Sequence, residues 1–545
     1  MVFLLFIRKK ATKLSKKKFR SDLFSFGCDQ IVPRSVISDA MNIIKTEHAK
    51  ILSLGIISLI LGVIFVALFY EQGFGLNYSL FMAMVVAVGL LLARVFSRRL
   101  EGEQYAVIAA GLFFSSMVFV RSSEPLTFFN VLGSLLLLLV AVQMFAGGHM
   151  RSFVAGDYLK VLFLPFSFIR PFFETFTVII FPKKLSETHP RIKEIIRGSL
   201  MSAVALFVFA GLFASADAGF EKLLSNIFSL KIDQDMVDQI FLGAFVAAFF
   251  VGGFSYMFAK LHASPTSDSK ENTRHLGEIE TMILLGSINA LFVVFIILQI
   301  SYLFGGASHL LAQGLTYSEY AREGFFQLVV VAILSFILIA FAERQIIQND
   351  GGHLRSFKIL CGVLVLQVIA ILASAFTRLS LYENAYGFTD TRLYSHAFMI
   401  WLGVVLLLLA LHIAKNGKRA EFSFRVFCSV VVLLFAMNML NPDAFIAKEN
   451  LDRYRSTGLL DAQYLGSLSD DALPLTIHLL DDPKEEIRKS FAEGLYWKEY
   501  GEGNFCDSGE CENVPYRSWQ SERLNRPKAE KLLAPVRDRL EENKS

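Results

Sequence analysis

Long apolar runs, broken at near-regular intervals by short polar segments, dominate the chain between Ile51 and Leu440. Eleven such runs, each about 17 to 24 residues, fall at roughly 51–70, 77–97, 105–120, 126–145, 196–215, 239–258, 281–304, 325–342, 357–377, 396–414 and 423–440. An α-helix of this length spans the roughly 30 Å hydrocarbon core of a bilayer. The pattern therefore predicts an all-α, polytopic membrane protein with about eleven transmembrane helices.

The loops between the runs alternate in basic content. With the amino terminus inside, the cytoplasmic loops carry twenty Lys and Arg, and the exoplasmic loops carry only Arg121, Lys222, Lys231, Arg322, Arg378 and Arg392. Basic loops are retained on the cytoplasmic side, so the bias predicts an amino-inside topology. An odd number of spans then puts the tail from Asn441 to Ser545 on the exoplasmic side.

Composition agrees with the membrane class: 54% of the 545 residues are hydrophobic and 53 are Phe, too apolar for an ordinary soluble domain. The net charge of +4 gives no case for nucleic acid, because the basic residues lie at membrane edges where they set topology. The expected partner is the lipid bilayer.

Five regions follow. Residues 1–50 form a basic cytoplasmic amino terminus that opens MVFLLFIRKKATKLSKKKFR, with the apolar part too short for a secretory signal. The favoured reading starts translation at Met41; the other is a basic anchor drawn to anionic lipid. Residues 51–145 form a four-helix membrane part, and 146–195 a cytoplasmic segment whose Pro165, Arg170, Pro171 and Glu174 argue for an interfacial helix pair over a twelfth span. Residues 196–440 form a seven-helix core, and 441–545 a small helical exoplasmic domain. In that tail, LDDPKEEIRKSFAEGL resembles a HEAT repeat, but one or two units make no solenoid, so a compact cap is expected.

Cys506 and Cys511, in NFCDSGEC, are the only cysteines close in sequence. A four-residue loop with Gly509 permits a disulfide and an oxidising compartment would preserve it; two free thiols are the alternative. A zinc site lacks its remaining ligands, and no P-loop, HExxH or CxxC is present, so neither metal nor cofactor is expected.

Mid-span polar residues are amides and hydroxyls: Gln143, Ser287, Asn289, Gln299, Gln367 and Asn438. Interhelical hydrogen bonding is their ordinary role. Chemistry-bearing residues gather instead at the outer ends of the later spans. They include Asp217 after the fifth, Tyr302, Tyr320, Arg322 and Glu323 around the seventh and eighth, and Arg378, Tyr382, Glu383, Asp390, Arg392 and His396 around the ninth and tenth. Aromatic belts explain some of the tyrosines. Arg378 and Arg392, kept on the positive-poor side, call for partners such as Asp217, Glu319, Glu323 or Glu383. Structural ion pairs are one account of them. The other is a ligand site formed by Asp217, Tyr302, Tyr320, Arg322, Glu323, Arg378, Tyr382 and Arg392, open to a small polar or anionic ligand or an envelope protein.

The strings FASAD, YLFGG with TYSEYAREGFFQL, RLSLYENAYGFTDTRL and NPDAFIAKENLDRYRSTGLLDAQYLGSLSDDALP resemble a family of bacterial multi-pass membrane proteins. That family is catalogued as a domain of unknown function, number 4173 in its series, with a related sister family. The likeness covers about 196–474 and implies a bacterial plasma membrane, with the outer cluster and the start of the tail forming one unit. It brings no catalytic residues. Three functions compete: an envelope ligand-binding or signalling scaffold, which is favoured; a permease, against which the lack of Pro in the last seven spans counts; and an enzyme on a lipid-linked substrate at the outer leaflet, with Asp217 or Glu323 as acid and an Arg holding phosphate.

Overall fold

The computed structural model describes residues 34–96, 100–180, 234–259, 278–304, 325–345, 351–500 and 518–537, and among these there is no β-strand. Among the described residues eight helices are long and apolar enough to cross a membrane, and two more carry shorter apolar stretches, Met282–Ile297 and Leu328–Glu343. These ten coincide with ten of the expected spans. The run at 196–215 lies outside the described residues. The chain is an all-α polytopic membrane protein.

Two compact units divide the chain, one of residues 1–70 with 163–260 and the other of residues 71–162 with 261–545. In the first, helix α1 (Arg34–Phe69) packs along α7 (Gln234–Ala259). A Cβ on Gly62 would sit 2.3 Å from the Gly243 carbonyl, so the two backbones meet at paired glycines. Lipid offers no hydrophobic drive for helix association, and close backbone approach at small residues supplies it through packing. The 3₁₀ turn Leu164–Phe168 and α6 (Ile169–Ile180) lie against the later part of α7, where the Thr175 hydroxyl donates to the Ser255 hydroxyl at 2.8 Å. From Leu164 to Ile180 the proline-bearing segment is thus a turn and a 12-residue helix rather than one apolar rod.

The second unit holds α2 (Leu76–Val95), α3 (Gly102–Val120), α4 (Glu124–Phe145), α5 (Ala155–Leu162), α8 (Glu278–Phe304), α9 (Phe325–Gln345), α10 (Gly351–Tyr386), α11 (Asp390–Lys415) and α12 (Arg419–Leu440). Buried Leu, Ile, Val and Ala from α8 to α11, among them Leu285, Ala332, Leu364, Ile371 and Leu406, form its largest core. At one end of the bundle Arg151 pairs with Glu103 at 2.7 Å, and Arg419 and His412 both face Glu343, at 3.4 and 3.8 Å. The opposite end carries α13 (Pro442–Thr457), α14 (Ala462–Ser467), α15 (Leu473–Thr476), α16 (Glu485–Tyr500) and α17 (Arg526–Leu533).

These last helices enclose their own apolar core, with Phe491, Leu495, Ile446 and Leu465 at its centre. Helices α14 and α16 meet backbone to backbone: a Cβ on Gly494 would lie 2.0 Å from the Gln463 carbonyl oxygen. Asp461 caps α14 by accepting from the Tyr464 N–H at 3.0 Å, and Pro474 stands in the first turn of α15.

One boundary differs from expectation. The segment RLSLYENAY, read from sequence as a loop leaving the ninth span, is helical, and α10 runs unbroken to Tyr386. Its polar residues leave the membrane on a helix whose last carbonyls are held by an arginine of α13, described below.

Candidate functional site

The α10–α11 turn is three residues long, Gly387 to Thr389, and its geometry requires glycine. Gly387 has φ +86°, and a Cβ there would lie 2.4 Å from Oδ1 of Asn450. Asn450, on α13, reads the next residue like a strand partner. Its Oδ1 accepts from the Phe388 N–H at 2.8 Å, and its Nδ2 donates to the Phe388 carbonyl at 2.8 Å. One turn further along, Arg453 donates to the Asn384 and Ala385 carbonyls at 3.0 and 2.5 Å, and to the Leu459 carbonyl at 3.2 Å. A guanidinium thus neutralises the C-terminal end of α10. Asp390 closes the joint from the other side, its N–H donating to the Tyr464 hydroxyl at 3.0 Å.

Of the eight residues expected to bind a ligand, Tyr382 and Arg392 are in contact here. Arg378 and Tyr382 stand one helical turn apart on α10, and Arg392 reaches back from α11 to lay its guanidinium 4.2 Å over the Tyr382 ring. Arg392 also donates to the Gly387 carbonyl. Arg378 is buried, at 7% exposure. Tyr302 falls in the last turn of α8, with its side chain outside the description. Asp217, Tyr320, Arg322, Glu323, Cys506 and Cys511 lie outside the described residues.

Glu383, one of the suggested partners of the arginines, faces a histidine instead. Its carboxylate is 3.3 Å from Nδ1 of His396, whose ring stacks on Phe376 at 4.2 Å. Other arginines at this end also serve the backbone. Arg121 donates to the Asn438 carbonyl at 2.5 Å, at the end of α12, and Arg523 to the Ser122 carbonyl. The positive-poor end therefore keeps its arginines in part as helix-end and loop ties.

Beside this joint lies a run of carboxylates. Asp443 is 4% exposed and accepts from the Ser469 N–H at 3.1 Å. Asp471 accepts from the Ser122 N–H at 3.1 Å and from the Asn525 amide at 2.6 Å. Burial pushes the Asp471 carboxyl above its ordinary range, although Asn525, the Ser122 N–H and Arg121 pull the other way. Further into the cap, Arg526 grips Glu499 with two bonds, at 2.8 and 2.7 Å, and shares Asp470 with Lys498. Burial alone would raise Glu499, but the Arg526 guanidinium outweighs it and holds that carboxyl low. Among the described residues no three His, Cys, Asp or Glu gather closely enough to hold a metal ion.

Asn450, Arg453, Tyr464 and Asp471 escape sequence reading because each acts on a partner far along the chain. Asn450 and Arg453 do sit inside the string NPDAFIAKENLDRYRS, and their backbone partners Asn384, Ala385 and Phe388 sit inside RLSLYENAYGFTDTRL. The two strings are the two faces of one joint.

A family model described as a domain of unknown function (DUF4153) matches residues 107–479. The expected 4173 type is not the one found, and the match begins well before residue 196. Short strings at helix ends carry too few residues to separate related families, and the earlier spans carried no string at all. No curated protein and no solved structure matches the chain.

Proposed function

This chain belongs to the DUF4153 family, and we propose that it is a binding or scaffold protein of the bacterial plasma membrane whose recognition unit is the helical cap together with the α10–α11 turn. In this reading the amino terminus is cytoplasmic and the cap exoplasmic, as the basic-loop bias requires. The observation that carries it is the clamp of Asn450 and Arg453 on the turn. Two amide bonds and a guanidinium tie make the cap continuous with two membrane helices, so a ligand on the outer surface can bias the bundle. Arg378, Tyr382 and Arg392 are the residues proposed to meet it, joined by Asp217, Tyr302, Tyr320, Arg322 and Glu323.

The test uses Arg392→Ala and Tyr382→Ala in cells lacking the native gene. Both side chains are half-buried, so their loss should leave membrane abundance close to that of the parent while removing function. A parallel fall in abundance and function would assign them to structure alone.

One observation favours a permease as the second reading. In the α8–α10 interface Gln367 donates to the Asn289 carbonyl at 3.3 Å, and Asn289 donates to the Leu360 carbonyl at 3.2 Å. Buried amides at mid-span are what a solute path needs, and they are equally what two packed membrane helices need.

A further inference from the structure

The arginines of the outer joint would select an anion. Its carboxylates have the opposite sign. Arg121, Arg392, Arg453 and Arg523 each donate to backbone carbonyls. The carboxylates are less well served. Asp443 uses one oxygen on the Ser469 N–H, and its Oδ1 is enclosed with no hydrogen-bond partner. Asp390 receives the Tyr464 hydroxyl on Oδ2 at 3.4 Å, and its Oδ1 is likewise enclosed and unpartnered. The two acids lie close enough for their charges to interact, and neither forms an ion pair with a Lys or Arg among the described residues. An ionised carboxylate accepts only, and leaving such an oxygen buried and unmet is costly.

Around the pair stand aromatic rings and hydroxyls. Tyr394 lies within electrostatic reach of both acids, with its ring 5.9 Å from Phe129. Tyr464 joins Asp390 from the cap side. Carboxylate oxygens beside tyrosine rings are the chemistry that recognises an organic ammonium, by charge-assisted hydrogen bonds and by the ring face. A directly ligated metal ion is disfavoured, since among the described residues no three acids converge tightly enough.

We propose that Asp390 and Asp443, flanked by Tyr394 and Tyr464, form a site for a small organic cation bearing a primary or secondary ammonium group. This rests on the binding reading above and reverses the charge of the ligand expected from the arginines. The site joins α11 to the cap, so an occupant would hold the two together.

The experiment is a thermal melt of the full chain in detergent or nanodiscs at neutral pH, with graded spermidine, graded sodium phosphate, or neither. Spermidine should raise the melting temperature in a saturable way, because a ligand that binds only the folded state stabilises it by mass action. Asp443→Asn and Asp390→Asn, which keep side-chain shape, should weaken the apparent affinity about tenfold or more. Asp452→Asn, an exposed acid on the same helix α13 whose partner is Arg455, should respond like the parent. A response to phosphate but not spermidine would overturn the cation assignment while leaving the outer binding site standing. No response to either would overturn both. A melting temperature that rises on acidification alone, with no spermidine response at neutral pH, would show the acids to be simply protonated and would also overturn the site.

Discussion

Asn130 on α4 and Asn438 on α12, 308 residues apart in sequence, exchange side-chain amides inside the bundle at 2.9 and 2.7 Å, and both are fully buried. Each supplies the donor the other needs, and Asn438 spends a second N–H on the Leu434 carbonyl at 2.8 Å. The pair ties α4 to α12, next to the Arg121 tie at the same helix end.

A double-mutant cycle with Asn130→Leu and Asn438→Leu should give a coupling of roughly 0.6 kcal/mol, and at most about 1.7 kcal/mol, the range for polar contacts between membrane helices. The measurement is reversible unfolding in mixed micelles. Coupling indistinguishable from zero would mean that each amide finds another partner once its mate is removed.

Gly387→Ala should destabilise the cap joint by about 1–3 kcal/mol from backbone strain alone, with a further clash against Asn450. Asn450→Ala should relieve the clash but not the strain, so the double variant should cost less than the sum of the singles. Limited proteolysis between α12 and α13, with melting temperature, reports the effect.

Arg526→Ala removes a buried guanidinium from Glu499 and Asp470 and should cost about 3–5 kcal/mol, seen as a large fall in melting temperature and in membrane abundance. Its pH dependence has a fixed sign. Glu499 is held below its ordinary 4.5, so its contribution is present above that value and is lost as pH falls through the folded one. The deficit of the variant relative to the parent should therefore shrink in acid. Asp471, raised above its ordinary 3.8 chiefly by burial, has the opposite linkage: its stability is fully present below 3.8 and is lost as pH rises through the folded value. The melting temperature of Asp471→Asn, relative to the parent, should fall as pH is lowered from neutral.

The membrane class and ten of the spans were legible because a span is a local property: length and apolarity of one segment decide it. The length of α10 was not, because Arg378, Tyr382 and Glu383 look like loop residues until Arg453 is seen on the helix end. Arg378 and Arg392 stand out in the sequence as arginines on the positive-poor side, and Arg392 lies over the Tyr382 ring. What they touch was hidden, since the Phe388 backbone gives no sequence signal that it is bonded to an asparagine 62 residues on.

An outer recognition site requires that the cap and the α10–α11 turn face away from the cytoplasm. A reporter active only outside the cytoplasm, fused after Ser545, measures this directly. Full reporter activity is expected, together with protection of Cys506 and Cys511 from thiol reagents until reductant is added. A fusion active only in the cytoplasm would place the cap on the inner face and contradict the reading of this surface as an outer recognition site.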